Sequence, residues 1–119
     1  MFRFQKLEVW QKAVDLAVQI YALTRDFPAD ERFGLTSQVR RAAVSISSNI
    51  AEGSSRASDV DFSRFLEIAY GSLMEVVSQV LVAQRLDMVS EAAAKEICAK
   101  AEESARMLSG LRAKLQQGR

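Results

Sequence analysis

Four polar side chains at helical spacing form the clearest candidate site in the sequence. In chain order they are Arg41, Ser45, Asn49 and Glu52. Their steps of four, four and three residues place them on one face of an α-helix, and the set mixes hydrogen-bond donors with acceptors. If this polar seam is buried between helices, it fixes their packing. If it lines a cleft or a ring opening, it binds a ligand. We favour the structural role, because Arg41 balanced by Glu52 leaves little charge for a partner.

Arginines are the second candidate, since guanidinium groups bind phosphates. Those near the second predicted helix and the loop after it are Arg40, Arg41, Arg56 and Arg64. If they converge in space, or repeat around an oligomer, they provide contacts for nucleic acid or another partner. Alternatively, Arg41 and Arg64 pair with Glu52 and Glu67 and have a structural role. The net charge of +1 is too balanced to indicate a nucleic-acid or membrane-surface protein by itself.

Residue types that support catalysis or metal binding are scarce. The sequence contains no histidine, which removes the commonest general acid and base and most zinc and iron sites. Glu67 and Glu75 fall on the polar side of the third predicted helix, whereas a di-iron site in a bundle needs inward carboxylates. The single cysteine, Cys98, lies at the edge of an apolar face, as a structural thiol does. We therefore expect no catalytic residues, no metal site and no cofactor.

Four helical segments must position these side chains. Sparse breaks near Pro28, after Gly53 and before Glu91 leave segments at about 7–26, 35–53, 59–86 and 91–115. The sequence has no strand-type alternation bounded by hairpin turns. Ser58, followed at once by acidic residues, has the pattern of a helix start. The chain therefore predicts one all-α domain over residues 1–119.

Two further features predict contacts between subunits or backbones. Apolar residues fill about 220° of the first segment, more than the surface helix of a monomeric bundle needs. Trp10 and Tyr21 lie on that arc, and we expect them to contact another subunit. Gly71 lies in the middle of the third segment, where glycine costs roughly 1 kcal/mol relative to alanine. We predict that another backbone packs closely against it.

The sequence carries no visible targeting or membrane-spanning pattern. Charged residues interrupt the first segment, and no stretch reaches the roughly 18 uncharged apolar residues of a membrane span. A single free cysteine fits a reducing compartment. We therefore expect a cytoplasmic protein that has no membrane partner.

The second and third segments also resemble a known family. Residues 35–53 read LTSQVRRAAVSISSNIAEG, and residues 62–75 read FSRFLEIAYGSLME. Arg56, the WQKA of residues 10–13 and the FP of residues 27–28 extend the similarity. This pattern resembles the four-helix-bundle proteins encoded in intervening sequences of bacterial 23S ribosomal RNA genes. The accessory protein of diversity-generating retroelements is a more distant relative.

The resemblance implies an antiparallel up-down-up-down four-helix bundle that assembles as a ring-like homopentamer. It implies no enzyme, and it implies association with nucleic acid or with a nucleic-acid enzyme. Two functional hypotheses follow. The first is a non-enzymatic oligomeric module that presents arginines to such a partner, and the second is a purely structural or protein-interaction bundle without nucleic-acid binding.

Overall fold

The computed structural model describes residues 1–117 and contains four long α-helices. They are α1 (Glu8–Thr24), α2 (Leu35–Ser54), α3 (Asp59–Arg85) and α4 (Glu91–Gln117). Short 3₁₀ turns at Arg3–Lys6 and Ala29–Glu31 precede α1 and α2. The four predicted helices are confirmed, with ends that shift by at most two residues. Residues 118 and 119, which the predicted domain includes, lie outside the described part of the chain.

The helices form a square in which neighbours along the chain are neighbours in space. Each helix packs on the next, and α4 returns to α1. Over residues 1–117, no Cα atom of α1 lies within 8 Å of α3, and the same holds for α2 and α4. The bundle measures 47 Å by 22 Å by 21 Å. The antiparallel up-down-up-down four-helix bundle is thus confirmed, and α2 and α3 share its most extensive contact.

Apolar side chains at three- and four-residue spacing fill the centre of the bundle. Full burial of one such side chain contributes about 1.5–3 kcal/mol of hydrophobic free energy. This burial holds α2 helical despite its serine-rich sequence, which by itself favours caps and turns. The largest side chains with less than 2% exposure include Leu16, Ile20, Ile46, Ile50, Phe62, Leu66, Leu73 and Leu108.

Local signals in the sequence set the limits of α3 and α4. The Ser58 side chain accepts a hydrogen bond from the Asp61 backbone N–H at 3.1 Å, so the predicted helix start is confirmed. Ser90 caps α4 in the same way, accepting from the Ala93 N–H at 3.1 Å. Asp87 follows α3 with a φ of 60°, the left-handed conformation that ends many helices.

One of the described helices, α3, contains a long apolar stretch. It alone among them is long and apolar enough, by length and composition, to cross a membrane, with a mean hydropathy of 1.4 over 18 residues. A core helix passes the same test, and one side of α3 does pack in the core through Phe62, Leu66 and Leu73. Only 28% of the 18-residue stretch is buried, however. The other side of α3 therefore exposes apolar surface.

Candidate functional site

The polar seam of α2 continues into α3 through a serine pair. The Asn49 side-chain amide donates to the Ser45 carbonyl at 2.8 Å and to its hydroxyl at 3.0 Å. That hydroxyl lies 2.9 Å from the Ser72 hydroxyl of α3. Ser72 is missing from the predicted seam, although its spacing was a usable signal. It follows Ala69 by three residues and precedes Val76 by four, which places it beside the buried face of α3.

The two charged members of the predicted seam do not join this network. Glu52 instead forms an ion pair with Arg56, at 3.0 Å between Oε1 and Nη2. Arg41 has neither an ion pair nor a side-chain hydrogen bond with any residue from 1 to 117. The expected balance of Arg41 against Glu52 is therefore wrong. Eleven residues of helix separate them by about 16 Å, which is beyond the reach of the two side chains.

A polar groove lies beside the serine pair, between α2 and α3. Its volume is about 380 Å³ and it is open to solvent. Arg41 lines one side and Glu75 the other, and Gln79 lies one turn further along α3. The Gln79 Oε1 atom is buried without a hydrogen-bond partner among the described residues. The groove thus offers donors and acceptors to a small polar group or to a partner side chain.

Arg40 has a structural role at the contact between α1 and α2. Its Nε donates to the Thr24 hydroxyl at 2.7 Å, and its guanidinium lies 4.5 Å from the centre of the Tyr21 ring. The Thr24 hydroxyl donates in turn to the Ile20 carbonyl at 2.8 Å. Arg40 therefore faces α1, whereas Arg41, the next residue, faces the groove beside α3.

The other two predicted arginines lie near the opposite end of the bundle. Arg56 packs on the Phe65 ring at 4.6 Å and pairs with Glu52. Arg64 lies 3.9 Å from Asp61, so its predicted pairing with Glu67 is wrong. About 22 Å of helix separates position 41 from position 56. Within one subunit the four arginines do not converge, and their repetition around an oligomer stays a prediction.

Glu67 pairs instead with Arg112 of α4, at 3.6 Å. Arg3, which no sequence pattern indicated, lies at the same end of the bundle as Arg56. Its guanidinium stacks 5.2 Å from the centre of the Phe62 ring and donates to the Ser54 carbonyl at 3.4 Å. Arg3 belongs to a short 3₁₀ turn outside the four predicted helices. The sequence pattern therefore gave no signal for it.

Two of the three glycines in the described helices, Gly53 and Gly71, have opposite surroundings. In the described chain, no atom lies within 4 Å of the position that a Cβ on Gly71 would occupy. A close neighbour of Gly71 within its own subunit is therefore excluded, and the predicted close approach now concerns a second subunit. A Cβ on Gly53 would lie 2.6 Å from the Cβ of Phe65. Gly53 is thus the glycine that lets α2 and α3 approach.

Several large apolar side chains are exposed on the outer surface of the bundle, many of them along α3. Among its exposed side chains, Val18 of α1 is 63% exposed and Tyr21 is 42% exposed. Trp10 is half-buried and packs on its own core, with its ring 5.0 Å from that of Phe4. The subunit contacts predicted for Trp10 and Tyr21 stay predictions. On and just after α3, six large apolar side chains are 42–57% exposed: Val60, Ile68, Met74, Leu81, Val82 and Leu86.

One ion pair joins α1 and α4, the neighbouring helices that share the least contact. The Lys12 ammonium of α1 lies 3.0 Å from the Glu103 carboxylate of α4. The hydrogen bond from Lys12 and its positive charge lower the pKa of the Glu103 carboxyl below its ordinary value. The same pairing raises the pKa of Lys12. Both groups are on the surface, so the pair is a solvent-screened link between α1 and α4.

Chemistry-bearing clusters are scarce in the described chain. Residues 1–117 contain no group of three or more His, Cys, Asp or Glu side chains placed to hold a metal ion. Cys98 is a free, half-buried thiol on α4. The surface features that the geometry does assemble are the polar groove and the exposed apolar side chains of α3.

Comparison with known proteins agrees with this architecture. A protein of unknown function from the S23 ribosomal protein family of Bacteroides thetaiotaomicron superposes with a TM-score of 0.81. The two chains are 24% identical over 88% of this chain and 95% of the other, which supports the fold alone. No curated protein matches the sequence. The family model described as 23S rRNA-intervening sequence protein matches residues 5–110, and the chain therefore belongs to that family.

Proposed function

We propose that the chain is a subunit of a homo-oligomeric, non-enzymatic interaction protein. The observation that carries this proposal is the exposed apolar surface of α3, where Met74, Leu81 and Val82 line one open groove and are 42–48% exposed. Monomeric soluble proteins rarely leave a contiguous apolar patch of this kind uncovered. A second subunit covers it without any other component.

Five subunits are the stoichiometry that the family resemblance implies. The scarcity of catalytic residue types, above all the lack of histidine, supports a role in recognition. The polar groove offers a partner one guanidinium, from Arg41, and one carboxylate, from Glu75. We place the protein in the cytoplasm, where the free Cys98 thiol stays reduced.

The mass of the purified protein tests the proposal. Light scattering coupled to gel filtration is expected to give about 66 kDa for a homopentamer, five times the 13.2 kDa of one chain. Another multiple of the chain mass would retain self-association and change the subunit number. A value near 13 kDa at micromolar concentration would refute the proposal.

Nucleic-acid association is the second candidate. The observation that favours it is the placement of Arg3 and Arg56 at one end of the bundle, where a ring repeats them around its axis. Glu52 already neutralises Arg56, which favours the alternative of a protein-interaction bundle without nucleic-acid binding. Titration of labelled single-stranded RNA and DNA at 50 and 200 mM salt tests this. Phosphate contacts predict affinity that falls steeply with salt, and the absence of binding at 50 mM excludes the role.

A further inference from the structure

We infer that the polar groove between α2 and α3 is a binding site for a small zwitterion of the α-amino-acid class, and that glutamine fits it best. Three layers of paired polar side chains, one pair for each turn of the two helices, line this groove. A site of this kind lies within one subunit and does not require the self-association proposed above.

The first two layers follow from the antiparallel packing of α2 and α3. The Ser45 and Ser72 hydroxyls lie 2.9 Å apart and hold the two helices in register. Arg41 lies one turn before Ser45 on α2. Glu75 lies one turn after Ser72 on α3, so Arg41 and Glu75 face each other at one level of the groove. A guanidinium thus stands on one wall and a carboxylate on the other.

Neither charge of this second layer is neutralised within the subunit. Arg41 and Glu75 are exposed, and they form no ion pair with each other or with any other residue from 1 to 117. A carboxylate in the groove accepts paired hydrogen bonds from the guanidinium. An ammonium group beside it donates to the Glu75 carboxylate. An amino acid carries both groups on one carbon atom.

The balance of charge decides the class of ligand. Arg41 by itself attracts any anion, phosphate groups included, but Glu75 on the facing wall repels a group that is only negative. In the same way, Arg41 repels a simple amine. A ligand that carries both charges pairs with both walls and leaves neither charge opposed. The groove therefore favours a zwitterion over a nucleic-acid phosphate.

The third layer selects an amide. Gln38 and Gln79 line the groove one turn beyond the charged layer. The Gln79 Oε1 atom is buried, and no donor in the described chain reaches it. Buried amide oxygens are rarely left without a donor. A primary amide in the ligand supplies an N–H for Gln79 and an oxygen that accepts from the Gln38 amide.

The spacing of the layers matches glutamine. Three to four residues of helix rise about 4.5–6 Å, which separates the charged layer from the amide layer. In glutamine, three bonds place the amide carbon about 4 Å from Cα. With its carboxylate and ammonium between Arg41 and Glu75, the ligand therefore reaches the third layer with its amide. The groove volume of about 380 Å³ accommodates a molecule of this size.

Titration of free glutamine into the full chain tests the site. Ligand-observed NMR is expected to show saturable binding, about fivefold tighter than that of alanine, which lacks the amide. N-acetylglutamine lacks the ammonium and glutaminamide lacks the α-carboxylate, so each is expected to bind at least about tenfold more weakly than glutamine. Inorganic phosphate is expected not to compete. Gln79→Leu is expected to remove the advantage of glutamine over alanine.

Variants of the charged layer locate the binding. Arg41→Met and Glu75→Gln are each expected to weaken it about tenfold or more, and unchanged circular dichroism verifies the fold. The double variant R41E/E75R is expected to restore binding, because a zwitterion can turn around between the walls. It should also reverse the preference between L- and D-glutamine, since exchange of the two charged groups on Cα gives the mirror image. Arg106→Met and Glu102→Gln, at exposed positions of α4, are the matched controls and are expected to leave the affinity unchanged.

The contrary results are equally specific. No saturable binding at tens of millimolar glutamine overturns the site, and so does equal affinity in the wild type, Arg41→Met and Glu75→Gln. Competition by phosphate at the affinity of glutamine overturns the zwitterion and leaves an anion site on Arg41. Alanine that binds as tightly as glutamine overturns the role of the amide layer. A chain of about 13 kDa that binds glutamine refutes the proposed self-association and supports this site.

Discussion

Gly53 and Gly71 lie in adjacent helices of this bundle, but their surroundings are opposite. A Cβ on Gly53 would overlap Phe65 at 2.6 Å, whereas a Cβ on Gly71 meets nothing within 4 Å of the described subunit. The first glycine lets two helices of one subunit approach. The second leaves a gap on the exposed side of α3, between Glu67 and Glu75. A glycine inside a helix can therefore allow close packing within one subunit, as Gly53 does, or lie exposed, as Gly71 does.

The largest expected effect on stability is that of a substitution at Gly53, inside the subunit. Gly53→Ala is expected to lower the free energy of unfolding by about 3 kcal/mol, because overpacking forces α2 and α3 apart at their closest approach. Urea denaturation followed by circular dichroism measures it. Ser48→Ala, exposed on the same helix, is the control and is expected to change stability by less than about 0.5 kcal/mol. Equal stability of both variants would mean that the helices separate here without cost.

Asn49→Ala tests whether the polar seam also belongs to the interior. The variant is expected to lose about 1–2 kcal/mol of stability, since the Ser45 carbonyl and hydroxyl both lose a donor. The neighbouring exposed Ser48→Ala serves as a control. A melt of Asn49→Ala that matches the wild type, combined with weaker binding of a partner, would assign the seam to recognition.

Gly71→Ala is expected to have the opposite sign to Gly53→Ala. At protein concentrations low enough to keep subunits apart, it should raise the free energy of unfolding by about 0.5–1 kcal/mol, because alanine is the better helix former and meets no clash. In the wild-type background, Gly71→Leu is expected to impair assembly. Loss of stability in the first experiment would reveal a neighbour inside the subunit. Normal assembly in the second would remove the close approach between subunits.

The smallest effect concerns the surface link between α1 and α4. The lowered pKa of Glu103 contributes stability above its ordinary value of 4.5, and this contribution is lost as pH falls through the lowered folded-state pKa. The raised pKa of Lys12 contributes below its ordinary value of 10.5 and is lost as pH rises through the folded-state value. The melting temperature of Glu103→Gln should therefore lie below that of the wild type between these limits and converge with it in acid. A constant difference at all pH values would contradict the ion pair.

Local sequence patterns predicted most of the fold. The Ser58 cap and the three- and four-residue spacing of apolar side chains depend on interactions within one or two helical turns, so they can be read from a short stretch of chain. The match of residues 35–53 to a known family also fitted the bundle topology. Two of the four residues of the predicted polar seam, Ser45 and Asn49, contact each other as expected. Asn49 and Ser45 are one turn apart and meet, whereas Arg41 and Glu52 are three turns apart and do not.

Contacts between helices could not be predicted in the same way. Ser72 joins Ser45, Arg3 stacks on Phe62, and Glu67 pairs with Arg112 because the bundle brings distant segments together. Each of these partners depends on helix order, register and rotation about the helix axis. A pattern along one helix contains no information about any of the three.

The sequence alone therefore determined that this chain forms four amphipathic helices, where each begins and ends, and that histidine chemistry is absent from it. Those properties follow from residue type and from spacing over a few residues. Only the tertiary structure decided which apolar side chains are buried, which glycine meets a backbone and which arginine is paired. The reason is that Met74 and Leu73 are equally apolar in sequence, and only the position of the neighbouring helices leaves one 42% exposed and the other 0%.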